Sequence, residues 1–307
     1  MDSDRRPKLE YNILIQEKIK DKGITTYKHT DNQIKEILVT HNYFYRLTSY
    51  RKNFDKNQHN KYINLDFEAL VDMASIDVRL REYLLSMTLD VEHYTKTLLM
   101  DLITNDPEED GYTILEDFKN FRLENVAYYN NSISRFKRNL YLKDMYDKRS
   151  ADIPIWVFLE IVDFGTLIKF VNFYHHRKTV TSIQQLDRTL KFIKNIRNCC
   201  AHNNIYFINI YSEKLKMRKN PTSEITTFSR SIGINLRNVK YYKINDLVAL
   251  FYLHNRLATQ KLKKRRFQDG QQLVERMKIN THLYKSCDSY NKFLPTLSKL
   301  IDFLNND

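Results

Sequence analysis

Glycine and proline are scarce in this chain, five of each among 307 residues. An all-β sandwich or a Gly-rich nucleotide-binding fold draws on these residues at its turns, so their scarcity leaves helices as the main building material. The longest consequence begins at Asp66. Phe67, Leu70, Val71, Ala74, Val78, Leu80, Leu84, Leu85, Leu89 and Val91 recur at helical spacing and continue into Leu98, Leu99 and Leu102. No Gly or Pro interrupts them before Pro107. One long helix fits, as do two with a break near Ile76. Hydrophobic residues make up 42% of the chain, ample for a core, and the expected fold class is all-α.

The same reading divides the rest of the chain. Leu9 to Lys22 carries Leu9, Ile13, Ile15 and Ile19 on a short helix with Gly23 as its C-cap. Thr30 or Asp31 caps a second helix running into HNYFYRLTSYRKNF. The pair resembles a helix-turn-helix, but a plain helical hairpin packed on the main body is the preferred reading. It gives a first unit of residues 1–60 and a main helical domain of residues 61–307 with a basic C-terminal extension. Residues 105–112, NDPEEDGY, form the clearest loop. A weaker helix is expected around Ser132 to Asp147. In IPIWVFLEIVDFGTLIKFVNFYHH, Pro154 opens a core helix, interrupted or bent at Gly165, that carries the single Trp156. Ser182 can cap the next helix, with Ile183, Leu186, Leu190, Ile193 and Cys200 on one face. Residues 205–243 are less regular and could hold a short hairpin, and Asn291 to Leu304 reads as a last helix.

Charge is uneven. The net charge is +13, and residues 203–307 hold 19 basic and 8 acidic side chains, so most of the excess lies in the last third. Clustered Lys and Arg are the electrostatic footprint of a protein that meets phosphate backbones. The candidate contacts are Lys214, Lys216, Arg218 and Lys219, and the denser run Lys261, Lys263, Lys264, Arg265 and Arg266. This run follows the amphipathic stretch Ile244 to Leu262 and is expected at that helix's C-terminal end, where the macrodipole favours cations. A solvated helix end would look the same. Tyr206, Tyr211, Tyr241 and Tyr242 lie among these cations and are available to stack on unpaired bases.

Cys199, Cys200 and Cys287 are too few to staple a secreted scaffold, and MDSDRRPKLEYN has charges where a signal peptide needs an apolar stretch. A cytoplasmic protein is expected. Charge breaks every apolar run well before the ~18 residues of a membrane helix. Adjacent cysteines followed by His202 do not have zinc-site spacing, so no metal or other cofactor is expected. His175-His176 reads as a helix end. P-loop, GxSxG and HExxH motifs do not occur.

The most informative residues close the helix that Ser182 begins: Arg197-Asn198-Cys199-Cys200-Ala201-His202. Asn198 and His202 are four apart and share a helix face, whereas Arg197 points elsewhere and must reach round, or the helix must fray. Histidine exchanges protons near neutral pH, and a guanidinium offers a rigid fork to phosphate oxygens. Together they suit RNA cleavage by 2′-hydroxyl attack without a metal. On composition alone, an Arg and a His near a helix end are more often a surface cation and a cap. Glu92 and Glu160 are carboxylates in apolar stretches whose plain reading is a partner for a buried cation; a Glu92–Arg197 pair would aim the guanidinium at the site.

RNxxxH is the signature of HEPN-type ribonucleases. The surrounding blocks, HNYFYRLTSYRKNF, SIDVRLREYLLSMTLDVEHYTKTLL, IPIWVFLEIVDFGTLIKF and IRNCCAHNN, resemble the bacterial Abi family of abortive-infection proteins, the AbiD and AbiF kind. They cover most of residues 8–210 in the family's order. The resemblance implies a HEPN-like helical bundle and a metal-independent endoribonuclease acting in phage defence. Its catalytic residues would be Arg197, Asn198 and His202; Glu92, through the pairing with Arg197, is the supporting candidate read from the residues themselves. It also implies a homodimer and a small non-coding RNA as partner beside the RNA substrate. The sequence departs from the family at Asn203-Asn204, where many members have an Arg. The alternative function is a non-catalytic RNA-binding module that holds a structured RNA. A DNA-binding regulator using the N-terminal helix pair is disfavoured because the strongest charge lies elsewhere.

Overall fold

The computed structural model describes residues 8–305; the charged stretch at residues 1–7 lies outside them. The first helix, α1 (Tyr11–Ile13), continues through a π-helical stretch and a 3-10 turn to Gly23, whose φ of 81° closes it. There, β1 (Ile24–Thr25) pairs in parallel with β2 (Leu65–Asp66), a contact that periodicity gave no hint of. The Thr25 hydroxyl donates to the Asp66 carboxylate at 2.6 Å and fastens the pair. Thr30 caps α2 (Asp31–Glu36) in a reciprocal box with Gln33, and α3 (Phe44–Ser49) follows. Ile15, Ile19, Ile34, Leu38 and Leu47 from this segment enter the same core as the long helix.

That helix, α4 (Phe67–Thr104), is unbroken at Ile76. It buries Leu70, Met73, Ile76, Leu80, Leu84, Met87 and Val91, and three later helices pack directly on it. The helices α5 (Thr113–Phe121), α6 (Leu123–Arg138) and α7 (Lys143–Arg149) come next, with Asn139 ending the expected Ser132–Asp147 helix early. Then α8 (Ile155–Ile161) and α9 (Phe164–Arg177) pack Phe158, Phe170 and Phe173 around Phe118 with centroids 5.3 to 5.7 Å apart. The break between them falls at Val162-Asp163, ahead of Gly165, because the Asp163 carboxylate accepts the Thr166 N–H at 2.7 Å and starts a new helix. Trp156 is 47% exposed rather than buried and lies over Gly111, where a Cβ would come within 2.9 Å of its ring.

The motif helix is α10 (Thr181–Ala201); it starts at Thr181 without the Ser182 cap. The expected hairpin in 205–243 is replaced by α11 (Ser223–Ser231), α12 (Leu236–Val239) and a single antiparallel bridge between Lys216 and Tyr241. Next comes α13 (Tyr242–Leu257), which stops before Leu262 because Ala258 is extended, and Thr259 caps α14 (Gln260–Ile279). The chain closes with α15 (Asp288–Phe303). Both α10 and α13 lie against α4 and against each other, and α14 packs on α4 and α15. Asn195 meets Asp246 and the Cys199 end of α10 meets Lys243, so α10 and α13 run antiparallel. The described residues form an all-α fold whose only strands are the two-residue β1 and β2, as the composition predicts. No helix among them is long and apolar enough to cross a membrane.

Candidate functional site

The motif lies where α10 leaves the core. Leu190, Ile193, Ile196 and Cys200 are buried, Arg197 and Asn198 half-buried at the edge of that stripe, and His202 is exposed as the C-cap. After it the chain makes a Schellman turn: Asn203 N–H donates to Cys200 O at 3.1 Å and Asn204 N–H to Cys199 O at 2.8 Å. Asn203 holds φ at 55°, the left-handed conformation that Asn tolerates better than other side chains except Gly. Asn203 and Asn204 are thus the residues that end the helix and leave His202 at its tip.

Three elements fix this turn from below. Asp77 on α4 is fully buried and accepts four hydrogen bonds. Its Oδ1 receives Tyr206 N–H at 3.0 Å and Phe207 N–H at 2.7 Å; its Oδ2 receives Tyr50 Oη–H at 3.0 Å and Arg81 Nε–H at 2.9 Å. Arg81 extends its other end to the Asn203 side-chain oxygen. Arg46 on α3 donates from Nη1 to Asn203 O at 2.7 Å and from Nη2 to Asn203 Oδ1 at 3.3 Å. Lys243, at the start of α13, donates to Tyr206 O at 2.6 Å and Ile208 O at 2.7 Å, and burial lowers its pKa. The fields of Lys243, Asp77, Arg81 and Arg46 all reach the Cys199 thiol, so these groups surround the middle of the motif. Burial pushes the neighbouring Cys200 thiol up to about 12, which keeps it protonated near neutral pH.

Arg197 Nε is withdrawn from solvent and has no acceptor in the described chain. The expected Glu92–Arg197 pair is not formed. Glu92 Oε1 pairs instead with Lys96 Nζ at 3.3 Å, its i, i+4 neighbour one turn along α4. Arg46, Arg81, Asp77 and Lys243 went unselected in sequence. Asp77 and Arg81 show a readable i, i+4 pairing, but nothing local reveals that Arg46 meets a residue 157 positions later.

The basic residues of the last third do not form one face. Lys214, Lys216, Arg218 and Lys219 are exposed beside the start of α13, where Met217 N–H donates to Lys240 O at 2.7 Å. The run from Lys261 follows the other end of α13, whose 16 residues span about 24 Å. It occupies the first turns of α14 and not the last turn of α13, so the macrodipole there opposes the cations. Lys261, Lys264 and Arg265 are exposed and Lys263 half-buried. Arg266 is not free for RNA: Asp90 on α4 accepts its Nε–H at 2.6 Å and its Nη2–H at 3.0 Å, and Asp269 accepts Nη1–H at 3.1 Å. His254, fully buried, bonds the same Asp90 at 3.0 Å. Tyr206 is buried with its hydroxyl on Lys243 O and offers no ring for stacking, whereas Tyr242 is 47% exposed.

Fold and site define an all-α protein with an exposed histidine at a basic helix end. A family model described as Abi-like protein matches residues 36–208, more than half of the chain, and the chain belongs to that family. The matched span contains α3, α4, the motif and the Tyr206–Phe207 segment pinned by Asp77. No curated protein and no solved structure matches the chain. Family membership points to phage defence by abortive infection.

Proposed function

We propose that the chain is a metal-independent endoribonuclease of the HEPN type acting in abortive infection, with Arg197, Asn198 and His202 as its catalytic set. The observation that carries the reading is His202, exposed at the tip of α10, with Arg46, Arg81 and Lys243 gathered round that helix end. An RNA phosphate brought to this tip meets an imidazole able to take the 2′-hydroxyl proton as the oxygen attacks phosphorus. The products are a 2′,3′-cyclic phosphate and a 5′-hydroxyl. Arg197, whose Nε–H lacks an acceptor, stabilises charge on the phosphoryl oxygens. Asn198 orients the imidazole or contacts phosphate. A homodimer would set two such tips across one site, so that one histidine takes a proton while the other supplies it to the leaving oxygen. A small non-coding RNA held by Lys214, Lys216, Arg218, Lys219, Lys261, Lys263, Lys264 and Arg265 would restrain the activity.

The test is cleavage of labelled total and transfer RNA by RNA-stripped protein in excess EDTA. Cyclic-phosphate ends that vanish with His202→Ala are expected. Equal RNA binding by wild type and His202→Ala with no cleavage by either would replace this reading with a non-catalytic RNA-binding module.

A further inference from the structure

Arg46 is a cation without a counter-charge beside the motif. Its acceptors in the chain are the two neutral oxygens of Asn203, and no carboxylate among the described residues lies within ion-pairing distance of it. Asp77, the nearby buried carboxylate, already receives Arg81, Tyr50 and two backbone N–H groups. Two guanidiniums therefore converge on one uncharged amide, an arrangement that leaves positive charge to be met from outside. Arg46 is half-buried, which strengthens its pull on an anion, and it stands next to the residue after His202. Three residues before it, Tyr43 is the extended N-cap of α3, its backbone oxygen accepting Arg46 N–H at 3.1 Å, and the residue is 60% exposed.

We propose that Arg46 and Tyr43 form a nucleotide subsite flanking the cleavage point, the guanidinium taking an RNA phosphate and the tyrosine ring stacking on the adjacent unpaired base. This rests on the ribonuclease reading and adds a substrate class to it, single-stranded RNA. A guanidinium fork presents paired N–H donors to phosphate, and stacking requires a base out of its duplex. The competing explanation is that Arg46 only caps the negative end of α10.

Binding separates the two. Anisotropy of a labelled single-stranded oligoribonucleotide and of its duplex is followed against salt in a His202→Ala background, where RNA stays intact. Arg46→Gln is expected to make the log K against log salt slope shallower by about 0.7, one phosphate contact on a single strand. Tyr43→Leu is expected to lower single-strand affinity about tenfold with the slope unchanged and the duplex little affected. Asn203→Asp keeps the left-handed turn and Arg46 in place but supplies a carboxylate to it, so it is expected to reproduce the Arg46→Gln slope without loss of thermal stability, and it decides the matter if Arg46→Gln fails to fold. Unchanged slopes in both variants, with wild type cleaving RNA in a His202-dependent way, would overturn the subsite alone. If the protein neither cleaves nor binds RNA, the subsite and the ribonuclease reading fall together.

Discussion

Asp246 lies beneath the motif helix, 4% exposed, with Asn195 of α10 donating to Oδ2 at 3.0 Å and Asn245 to Oδ1 at 3.3 Å. Burial pushes its carboxyl up to about 7 from an ordinary 3.8, and two neutral amides are too weak to hold it down. The folded chain thus keeps a proton that the unfolded chain releases near pH 4. Unfolding free energy falls as pH rises through the window from about 4 to about 7 and is level above it. Asp246→Asn removes the carboxyl and flattens this slope, leaving a protein more stable than wild type at pH 8. Urea midpoints across pH 4 to 8 check it, and parallel wild-type and variant curves would show that Asp246 ionises freely. Asn203 illustrates the same scale differently. A side chain chosen for its backbone conformation also provides the oxygens on which Arg46 and Arg81 meet.

Between elements, the first turns of α14 hold two kinds of cation that sequence cannot separate. Arg266 is tied to Asp90 and Asp269 and shares Asp90 with buried His254, so it joins α14 to α4 and α13. Arg266→Gln leaves Asp90 short of its main partner and is expected to cost about 3 kcal/mol of stability while leaving the salt dependence of RNA binding alone. Lys261 and Lys264 are exposed at the positive end of the helix dipole. Replacing both with Gln is expected to raise stability by about 0.5 kcal/mol and to weaken RNA binding with a shallower salt slope. Denaturant melts paired with salt titrations distinguish the two variants. A stabilised Arg266→Gln, or a destabilised Lys261/Lys264 double variant, would contradict the assignment.

For the whole molecule, α4 is the beam on which the site is assembled. Its residues Asp77 and Arg81 reach the motif turn, while Asp90, one helix stretch further, anchors α13 and α14. Under the proposed dimeric mechanism the exposed motif tip would supply half of the site. If two tips are required, mixing wild type with His202→Ala and allowing subunits to exchange makes activity fall as the square of the wild-type fraction. A linear fall identifies a protomer that acts alone.

The sequence by itself determined the helical character, the helical periodicity from Asp66 towards Pro107, a cap at Thr30 or Asp31, the loop at 105–112 and the motif residues at the end of α10. Each of these follows from local spacing, from turn chemistry or from the absence of Gly and Pro. Where caps competed with periodicity, at Asp163 and Thr259, one side-chain hydrogen bond to a backbone N–H moved the boundary and so reassigned the Lys261–Arg266 run from one helix to the next. The β1–β2 pair, the Lys96 partner of Glu92, the loss of Arg266 to Asp90 and the arrival of Arg46 at Asn203 were decided by tertiary structure alone. The physical reason is range: propensity and amphipathic spacing act over a few residues, whereas the charge around a site is summed in space over groups that packing brings together.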